Sequence, residues 1–487
     1  MPACRVEPNS AQDVAFVLET VVKESCSFAV KSGGHERTPG ASNADGGVTI
    51  DLVRLKTLEV AGDRQSVLVG PGWLWGELYQ RLEGEELMVL GGRIADVGIG
   101  GLLLGGEFRS EERREGTGAD MHFKGGISFF SNERGLACDS ILSYELVLPN
   151  ATIITVKQTT QPALFRALRG SGAVNYGIVT AFTVEAFSHS HRMWSGSRTI
   201  AWEHLPELLK ANYEIAIESF DQDPSMAVMN IFMCYPKHSL CFGNVVAVHP
   251  THNVSGSWPS SFAPLESVEN LPHTGRTEVS TLARITGQLE GQVDARRHRT
   301  IYATFTYVPS VELELELMQL FHEEVLRPDV KQIAGFLPGV IMHPFSNTML
   351  QKMHKRGGNA FSSIANRDGP LTVLNISWQW NDKVDDNIAY ESYRRIMTKF
   401  EAAAKRANLW HPYKYINYAE ASQDVWEGYG MFIEDLERLQ KEIDPRGIFA
   451  KGGLAGGAHK IQGYTKSRYA EQQDFSRSQT NFVRDEL

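Results

Sequence analysis

Hydrophobic residues in the first third of the chain recur at spacings typical of one helix and several short strands. Residues 10–22 carry valine and leucine at helical spacing behind a serine that can cap the helix. Short apolar runs bounded by glycine-rich loops predict a helix at 75–82 and strands at 28–31, 48–52, 66–69, 141–148, 153–156 and 178–184. This mixture indicates the α+β fold class.

From about residue 188 the pattern changes, because glycine becomes rarer and the apolar segments become longer. Alternating runs predict strands at 227–233, 300–308 and 372–380, and helical spacing predicts helices at 313–326 and 390–407. These segments interleave along the chain, which is typical of an antiparallel sheet backed by helices.

The change in pattern also predicts the domain organisation. We expect a first domain at 1–187, a substrate domain at 188–409, and a return segment at 410–460 that completes the site of the first domain. The final stretch, 461–487, is polar and lacks periodicity, so we expect a disordered tail.

Composition narrows the possible partners. The chain has 487 residues and a formal net charge of -10, which argues against nucleic acid as a partner. No apolar run approaches the length needed to span a bilayer. The five cysteines form no CxxC pair, and His189 and His191 lack carboxylate or cysteine neighbours, so we predict no metal site. One or two disulfides remain open if the chain is secreted.

Four glycine-rich segments lie beside predicted strands in the first 180 residues. A dinucleotide cofactor needs its pyrophosphate held by backbone N–H groups, which glycine allows to approach closely. None of the segments has the Rossmann spacing, because Leu103 and Asn175 stand where a glycine would be required, and no Walker A motif is present. The segments are 32–35, 69–72, 91–106 and 169–179.

Several of these motifs, in order, resemble the berberine-bridge-enzyme-like branch of the vanillyl-alcohol oxidase superfamily, especially its fungal FAD-linked oxidoreductases. The matching segments read VKSGGH at 30–35, IDL at 50–52, VGIGGLLLGG at 97–106, GIVT at 177–180, YINYA at 415–419 and DPRGIF at 444–449. The resemblance implies a PCMH-type FAD-binding domain followed by a substrate domain with an antiparallel sheet backed by helices.

The resemblance also implies how FAD is held. His35 occupies the place of the histidine that bonds covalently to the 8α methyl of the flavin, whereas Ile94 stands where many members have a second, cysteinyl link. We therefore expect covalent FAD through His35 only. Val97 lies where relatives control the access of dioxygen, and valine there favours an oxidase over a dehydrogenase. The expected cofactor-binding residues are His35, Ser32, Gly33, Gly34, Val97, Gly98, Gly100, Gly101, Gly105, Gly177, Ile178, Val179 and Asn417.

The tyrosine-rich segment at 415–418 implies the catalytic residues. In the family it lies over the flavin, so Tyr418 and Tyr415 are candidates for the base and Asn417 for a contact to the ring. A phenol has a pKa near 10, so a partner must stabilise its phenolate. Gln379 or Asn375, on a strand expected to point inward, is a candidate for that assistance.

A charged insert at 107–125 interrupts the run of motifs. It is either a surface loop or the product of a retained intron, and the start at Met1 suggests a missing upstream exon. If that exon encodes a signal peptide, we expect a secreted or lumenal protein, and otherwise a cytosolic one. The sequence leaves the oligomeric state open.

Taken with the resemblance, these features predict an FAD-linked oxidoreductase that oxidises a small organic molecule by hydride transfer to flavin, in fungal secondary metabolism, with dioxygen as a candidate electron acceptor. A carbohydrate oxidase acting on an oligosaccharide is the first alternative. A flavin-fold protein made inactive by the insert is the second.

Overall fold

The computed structural model describes residues 1–35, 40–104, 126–252, 254–290, 298–360, 369–429, 432–457 and 459–461. The predicted insert at 107–125, Gly105 and the tail beyond residue 461 lie outside these ranges. The described part combines helices with parallel and antiparallel sheets, so the α+β prediction is confirmed.

Seventeen strands lie in the described part of the chain. They are β1 (Cys4–Val6), β2 (Phe28–Lys31), β3 (Val48–Asp51), β4 (Leu58–Val60), β5 (Ser66–Val69), β6 (Leu87–Val89), β7 (Ile141–Val147), β8 (Ile153–Val156), β9 (Ile178–Ser188), β10 (Met193–Ala201), β11 (Ala227–Tyr235), β12 (Leu240–His249), β13 (Arg276–Ser280), β14 (Arg299–Tyr307), β15 (Leu337–Phe345), β16 (Leu371–Trp380) and β17 (Trp410–His411). The longer helices are Ala11–Lys23, Trp75–Glu83, Ile99–Leu104, Pro162–Leu168, Leu205–Glu214, Leu282–Glu290, Val311–Val325, Asn347–Lys352, Asp386–Arg406 and Phe432–Ile443.

The N-terminal part forms two sheets. A parallel sheet has the order β1-β3-β2, and an antiparallel sheet has the order β4-β5-β9-β7-β8 with β6 paired to β9. Helix Ala11–Lys23 begins where predicted, because the Ser10 hydroxyl accepts a hydrogen bond from the Asp13 amide at 3.1 Å.

An eight-stranded antiparallel sheet follows, with the order β13-β10-β12-β11-β15-β16-β14-β17. One face, which includes Phe305 and Trp378, packs under helices Val311–Val325 and Asp386–Arg406. The other face, which includes Tyr302, joins the core of the N-terminal part. The sheet therefore separates a helix-covered layer from a layer that faces the glycine-rich loops.

The chain then returns to the N-terminal part. After β17 and helix Phe432–Ile443, the backbone of Leu454 accepts a hydrogen bond from the Phe28 amide, and the Gly456 amide donates to the Phe28 carbonyl. The domain boundaries themselves stay a prediction.

A disulfide joins Cys234 and Cys241, which are opposite each other in the register of β11 and β12. This is one of the bridges that the cysteine count left open. Within the described ranges, none of the helices combines the length and apolar character needed to cross a bilayer.

Candidate functional site

A cleft in the N-terminal part brings together glycine-rich segments that are far apart in the sequence. Its empty volume, with the solvent at its mouth, is about 560 Å³. Six residues predicted to bind the cofactor line it: Ser32, Gly100, Gly101, Gly177, Ile178 and Val179. Phe449 and Gly456 of the return segment close it from the opposite side.

Two of the cleft glycines lie too close to neighbouring protein atoms to carry a side chain without a shift of those neighbours. A Cβ on Gly100 would lie 2.9 Å from the Ser32 hydroxyl, which itself accepts from the Gly100 amide and donates to the Pro71 carbonyl. Gly177 has a φ of +151°, and its Cβ would lie 2.3 Å from the Val147 carbonyl oxygen. These close approaches leave backbone accessible along the cleft, as a dinucleotide requires.

His35 is buried at the end of the first glycine segment, where Gly34 turns the chain with a φ of 75°. Its Nε2 lies 2.6 Å from the Asp96 carbonyl oxygen and 3.4 Å from Asp96 Oδ2. The structure thus brings the predicted covalent anchor to the segment that contains Val97. Sequence reasoning passed over Asp96, although it lies inside a motif that had been singled out.

The segment around Val97 is held by backbone hydrogen bonds. The Val97 carbonyl accepts from the Trp75 amide at 2.9 Å, and Gly98 forms a bridge with Leu74. Val97 is buried, as is the neighbouring Ile94. Helix Trp75–Glu83 therefore sets the position of the loop that is expected to lie beside the flavin.

The predicted tyrosines lie together in the core. Residues 416–418 form a single helical turn, and the rings of Tyr415 and Tyr418 meet edge to face with centroids 4.9 Å apart. Burial raises the pKa of Tyr415 well above its ordinary value, while a hydrogen bond with Asn417 acts in the opposite direction. Asn417 is itself buried beside them.

Tyr418 also contacts two residues that the sequence did not reveal, Arg93 and His343. Arg93 Nη2 donates to Tyr418 Oη at 3.3 Å, and Arg93 Nη1 lies 3.4 Å from His343 Nδ1. Burial raises the pKa of Tyr418, and the charge of Arg93 works against that rise. Arg93 directly follows the glycine pair at 91–92, and this position is the local signal that could have drawn attention to it.

The register of the eight-stranded sheet places Asn375 between two residues whose rings contact Tyr418. Asn375 pairs with Ile341 on β15, between the rows that hold Tyr302 and His343, and both of these rings contact Tyr418. Neither amide atom of Asn375 has a hydrogen-bond partner among the described residues, although the side chain is fully buried. An unsatisfied buried amide is costly, so a ligand that bonds to Asn375 would remove that cost.

Gln379 lies on the same sheet face, four residues further along β16, so about 13 Å from Asn375 at the usual rise of a strand. Its row lies beyond that of Tyr302, which makes Asn375 the nearer of the two predicted assistants. The described residues contain no cluster of histidine, cysteine and carboxylate side chains suited to a metal ion.

Comparison with known proteins identifies the family and the fold. A family model described as an FAD binding domain matches residues 2–124. FAD-dependent monooxygenase tpcD of Cochliobolus heterostrophus is 31% identical over 471 residues, which cover 94% of this chain and 85% of that protein.

Solved structures share the fold at low sequence identity. A variant of berberine bridge enzyme has a TM-score of 0.70 at 16% identity and covers 95% of this chain and 90% of its own. Chitooligosaccharide oxidase has a TM-score of 0.68 at 15% identity, with coverages of 95% and 92%. These likenesses and the family match confirm the predicted PCMH-type FAD-binding fold.

Proposed function

Because the chain belongs to the berberine-bridge-enzyme-like family of FAD-linked oxidoreductases, in the branch that includes the fungal monooxygenase tpcD, we propose that it oxidises a small organic molecule by hydride transfer to FAD. The substrate class that fits this branch is a fungal secondary metabolite. The convergence of Ser32, Gly100 and Gly177 on one cleft is the observation that carries the proposal.

The cleft fits the ADP half of FAD, since Gly100, Gly101 and Gly177 line it and glycine lets a ligand approach the backbone closely. His35 would hold the flavin covalently through one ring nitrogen, while a hydrogen bond to the Asp96 carbonyl would orient the ring through the other. The Asp96 carbonyl oxygen contacts Nε2, which supports Nδ1 as the nitrogen that would bond to the flavin. Ile94 cannot form a second link, because it has no thiol.

When bound, FAD supplies the acceptor for a hydride. The chain itself must take up the substrate's proton, and Tyr418 is the proposed acceptor, with its hydroxyl beside the Arg93 guanidinium. Asn375 would orient the substrate, because its amide can donate to one oxygen and accept from another. Tyr415 and Asn417 would shield this position from water, since both are buried.

The electron acceptor separates two versions of the function. Val97 favours an oxidase that reduces dioxygen to peroxide, whereas the name of the relative tpcD favours a monooxygenase that transfers an oxygen atom to product. Turnover under isotopically labelled dioxygen distinguishes them. The oxidase releases peroxide and an unlabelled product, and the monooxygenase releases a labelled product.

An anaerobic substrate panel tests the proposal as a whole. Aromatic polyketides, alkaloids and chitooligosaccharides are mixed in turn with the purified protein, and loss of the visible flavin absorbance is followed. Bleaching by a polyketide or an alkaloid supports the proposed substrate class, and bleaching by the sugars alone supports the carbohydrate oxidase. Protein that never acquires flavin would support the inactive alternative.

The disulfide between Cys234 and Cys241 supports folding in an oxidising compartment, because such bridges persist there and are reduced in the cytosol. This favours the secreted or lumenal form of the localisation hypothesis. Endoglycosidase-sensitive mobility of the protein in its host would test it, and a cytosolic, unshifted product would contradict it.

A further inference from the structure

One guanidinium bridges two aromatic side chains in the core, beside the tyrosine-rich segment. Arg93 follows β6, His343 lies on β15 and Tyr418 lies in the return segment, so three distant parts of the chain meet here. Arg93 donates to Tyr418 Oη at 3.3 Å through Nη2 and contacts His343 Nδ1 at 3.4 Å through Nη1. All three side chains are buried.

The contact to His343 defines its protonation. A guanidinium nitrogen can only donate, so His343 Nδ1 accepts and its proton is on Nε2. Burial lowers the pKa of His343 well below the ordinary value, and the charge of Arg93 lowers it further. His343 is therefore neutral at physiological pH and acts as an acceptor that fixes one arm of the guanidinium.

Among the described residues, the Tyr418 ring or its hydroxyl contacts Arg93, His343 and Tyr302, with Tyr415 from its own segment. Asn375 lies in the sheet row between those of Tyr302 and His343. Its amide is uncharged, burial raises the pKa of Tyr415 well above its ordinary value, and His343 is neutral. Arg93 is the cation in this set, and its charge opposes the effect of burial on Tyr418.

We propose that Arg93 is a positioning residue that makes Tyr418 competent as the proton acceptor: its guanidinium stabilises the phenolate, and His343 holds the guanidinium in place. The inference rests on the proposed role of Tyr418. Lysine would substitute poorly, because the planar fork of arginine can donate to the phenol and to the imidazole at the same time.

A titration of Tyr418 that needs no substrate tests this directly. Tyr418 is replaced in the holoenzyme by a trifluorotyrosine, whose phenol is more acidic than tyrosine, and its ionisation is followed by fluorine NMR. An adjacent opposite charge typically shifts a pKa by about 1–3 units, so Arg93→Gln should raise the titration midpoint by that amount. Arg93→Lys should raise it less, because the charge is kept.

Arg192→Gln is the matched control, since Arg192 is exposed on the surface and its loss should leave the midpoint unchanged. An unchanged midpoint in Arg93→Gln, or an equal rise in Arg93→Lys and Arg93→Gln, would overturn the inference. If Arg93→Gln does not fold, His343→Phe replaces it: a smaller rise of the midpoint is expected, and no rise overturns the inference.

This result is separable from the proposed function. If Tyr418→Phe reduces its flavin at the normal rate, Tyr418 is not the proton acceptor, whatever the midpoint of the phenol titration. If the titration midpoint is unchanged by substitution of Arg93, only the positioning role of Arg93 is contradicted. The titration therefore contradicts the inference alone, and the turnover measurement contradicts the function.

Discussion

The layers on the two sides of the eight-stranded sheet each bury polar side chains, and Glu324 in one layer differs from Asn375 in the other in its hydrogen bonding. In the helix layer, Glu324 of helix Val311–Val325 is fully buried and accepts hydrogen bonds from Ser392, Arg395 and Lys399 at 2.8–3.3 Å. Glu314 on the same side is bonded to the Tyr307 hydroxyl at 3.1 Å. The hydrogen bonds from these neighbours offset the cost of burying the two carboxyl groups, which therefore stabilise the fold.

On the opposite face, Asn375 is equally buried, but neither of its amide atoms is bonded within the described residues. An unsatisfied polar group costs about 1–3 kcal/mol, and such a group is retained where a ligand can satisfy it. We therefore expect the loss of Glu324 to affect chiefly the stability of the protein and the loss of Asn375 to affect chiefly the reaction.

The largest expected effect comes from Tyr418→Phe. Removing the hydroxyl should slow flavin reduction by about 10²- to 10⁴-fold, because that is the usual contribution of a positioned proton acceptor. The melting temperature should change little. Stopped-flow measurement of flavin reduction with a substrate from the panel checks this, and Tyr302→Phe, whose ring contacts Tyr418 edge to face, is the control that should react at nearly the normal rate.

The opposite pattern is expected for Glu324→Leu on the helix-covered face. Loss of the buried carboxylate leaves Arg395 and Lys399 without their partner, and we expect the free energy of unfolding to fall by about 2 kcal/mol, since both cations are partly exposed to water. Flavin content and turnover should be unchanged. Equal destabilisation by Glu323→Leu, at an exposed neighbouring position, would contradict this reading.

Glu314 makes the stability of the same layer depend on pH. Burial raises its pKa to about 8, so the folded state holds a proton that the unfolded chain releases near its ordinary pKa. The stabilisation is complete below that ordinary pKa and is lost as the pH rises to about 8. Denaturant titrations of wild type should show a loss in the free energy of unfolding, relative to Glu314→Gln, of roughly 3–4 kcal/mol between about pH 5 and pH 8. If the free energies of unfolding of wild type and Glu314→Gln change with pH in parallel, Glu314 does not cause the pH dependence.

The smallest change in stability is expected for Asn375→Leu. The variant removes an amide that has no bonded partner, so the protein without substrate should be as stable as wild type or about 1 kcal/mol more stable. Flavin reduction should be roughly tenfold slower, since an oriented hydrogen bond is lost. Ser392→Ala removes a bonded hydroxyl from the helix-covered layer and should give the reverse, a lower stability with normal turnover.

The sequence predicted local elements better than it predicted the sheet. Strands β2, β5 and β8 have the predicted bounds, because compact apolar runs lie between turns. Strand β15 was missed, since Pro338 and Pro344 argue against a central strand. The structure tolerates both prolines because β11 pairs with β15 only from Gly339 to Met342, so they lie beyond that pairing.

The cofactor cleft was predictable for a related reason. Ser32, Gly100 and Gly177 belong to motifs that are recognisable locally, whatever the fold around them. Arg93 and His343 were not, because they are 250 residues apart and only the folded sheet brings them to Tyr418. Side chains that act through a distant contact leave no pattern in the sequence near either partner.

The covalent attachment of FAD through His35 can be measured most directly on denatured protein. Wild type and His35→Ala are expressed side by side, precipitated with acid and separated on a denaturing gel, and flavin fluorescence is recorded from the protein band. We expect fluorescence to stay with the wild-type band and to be absent from His35→Ala, whose flavin should remain in the supernatant. Flavin that stays with the His35→Ala band, or that leaves the wild-type band entirely, would contradict attachment through this histidine.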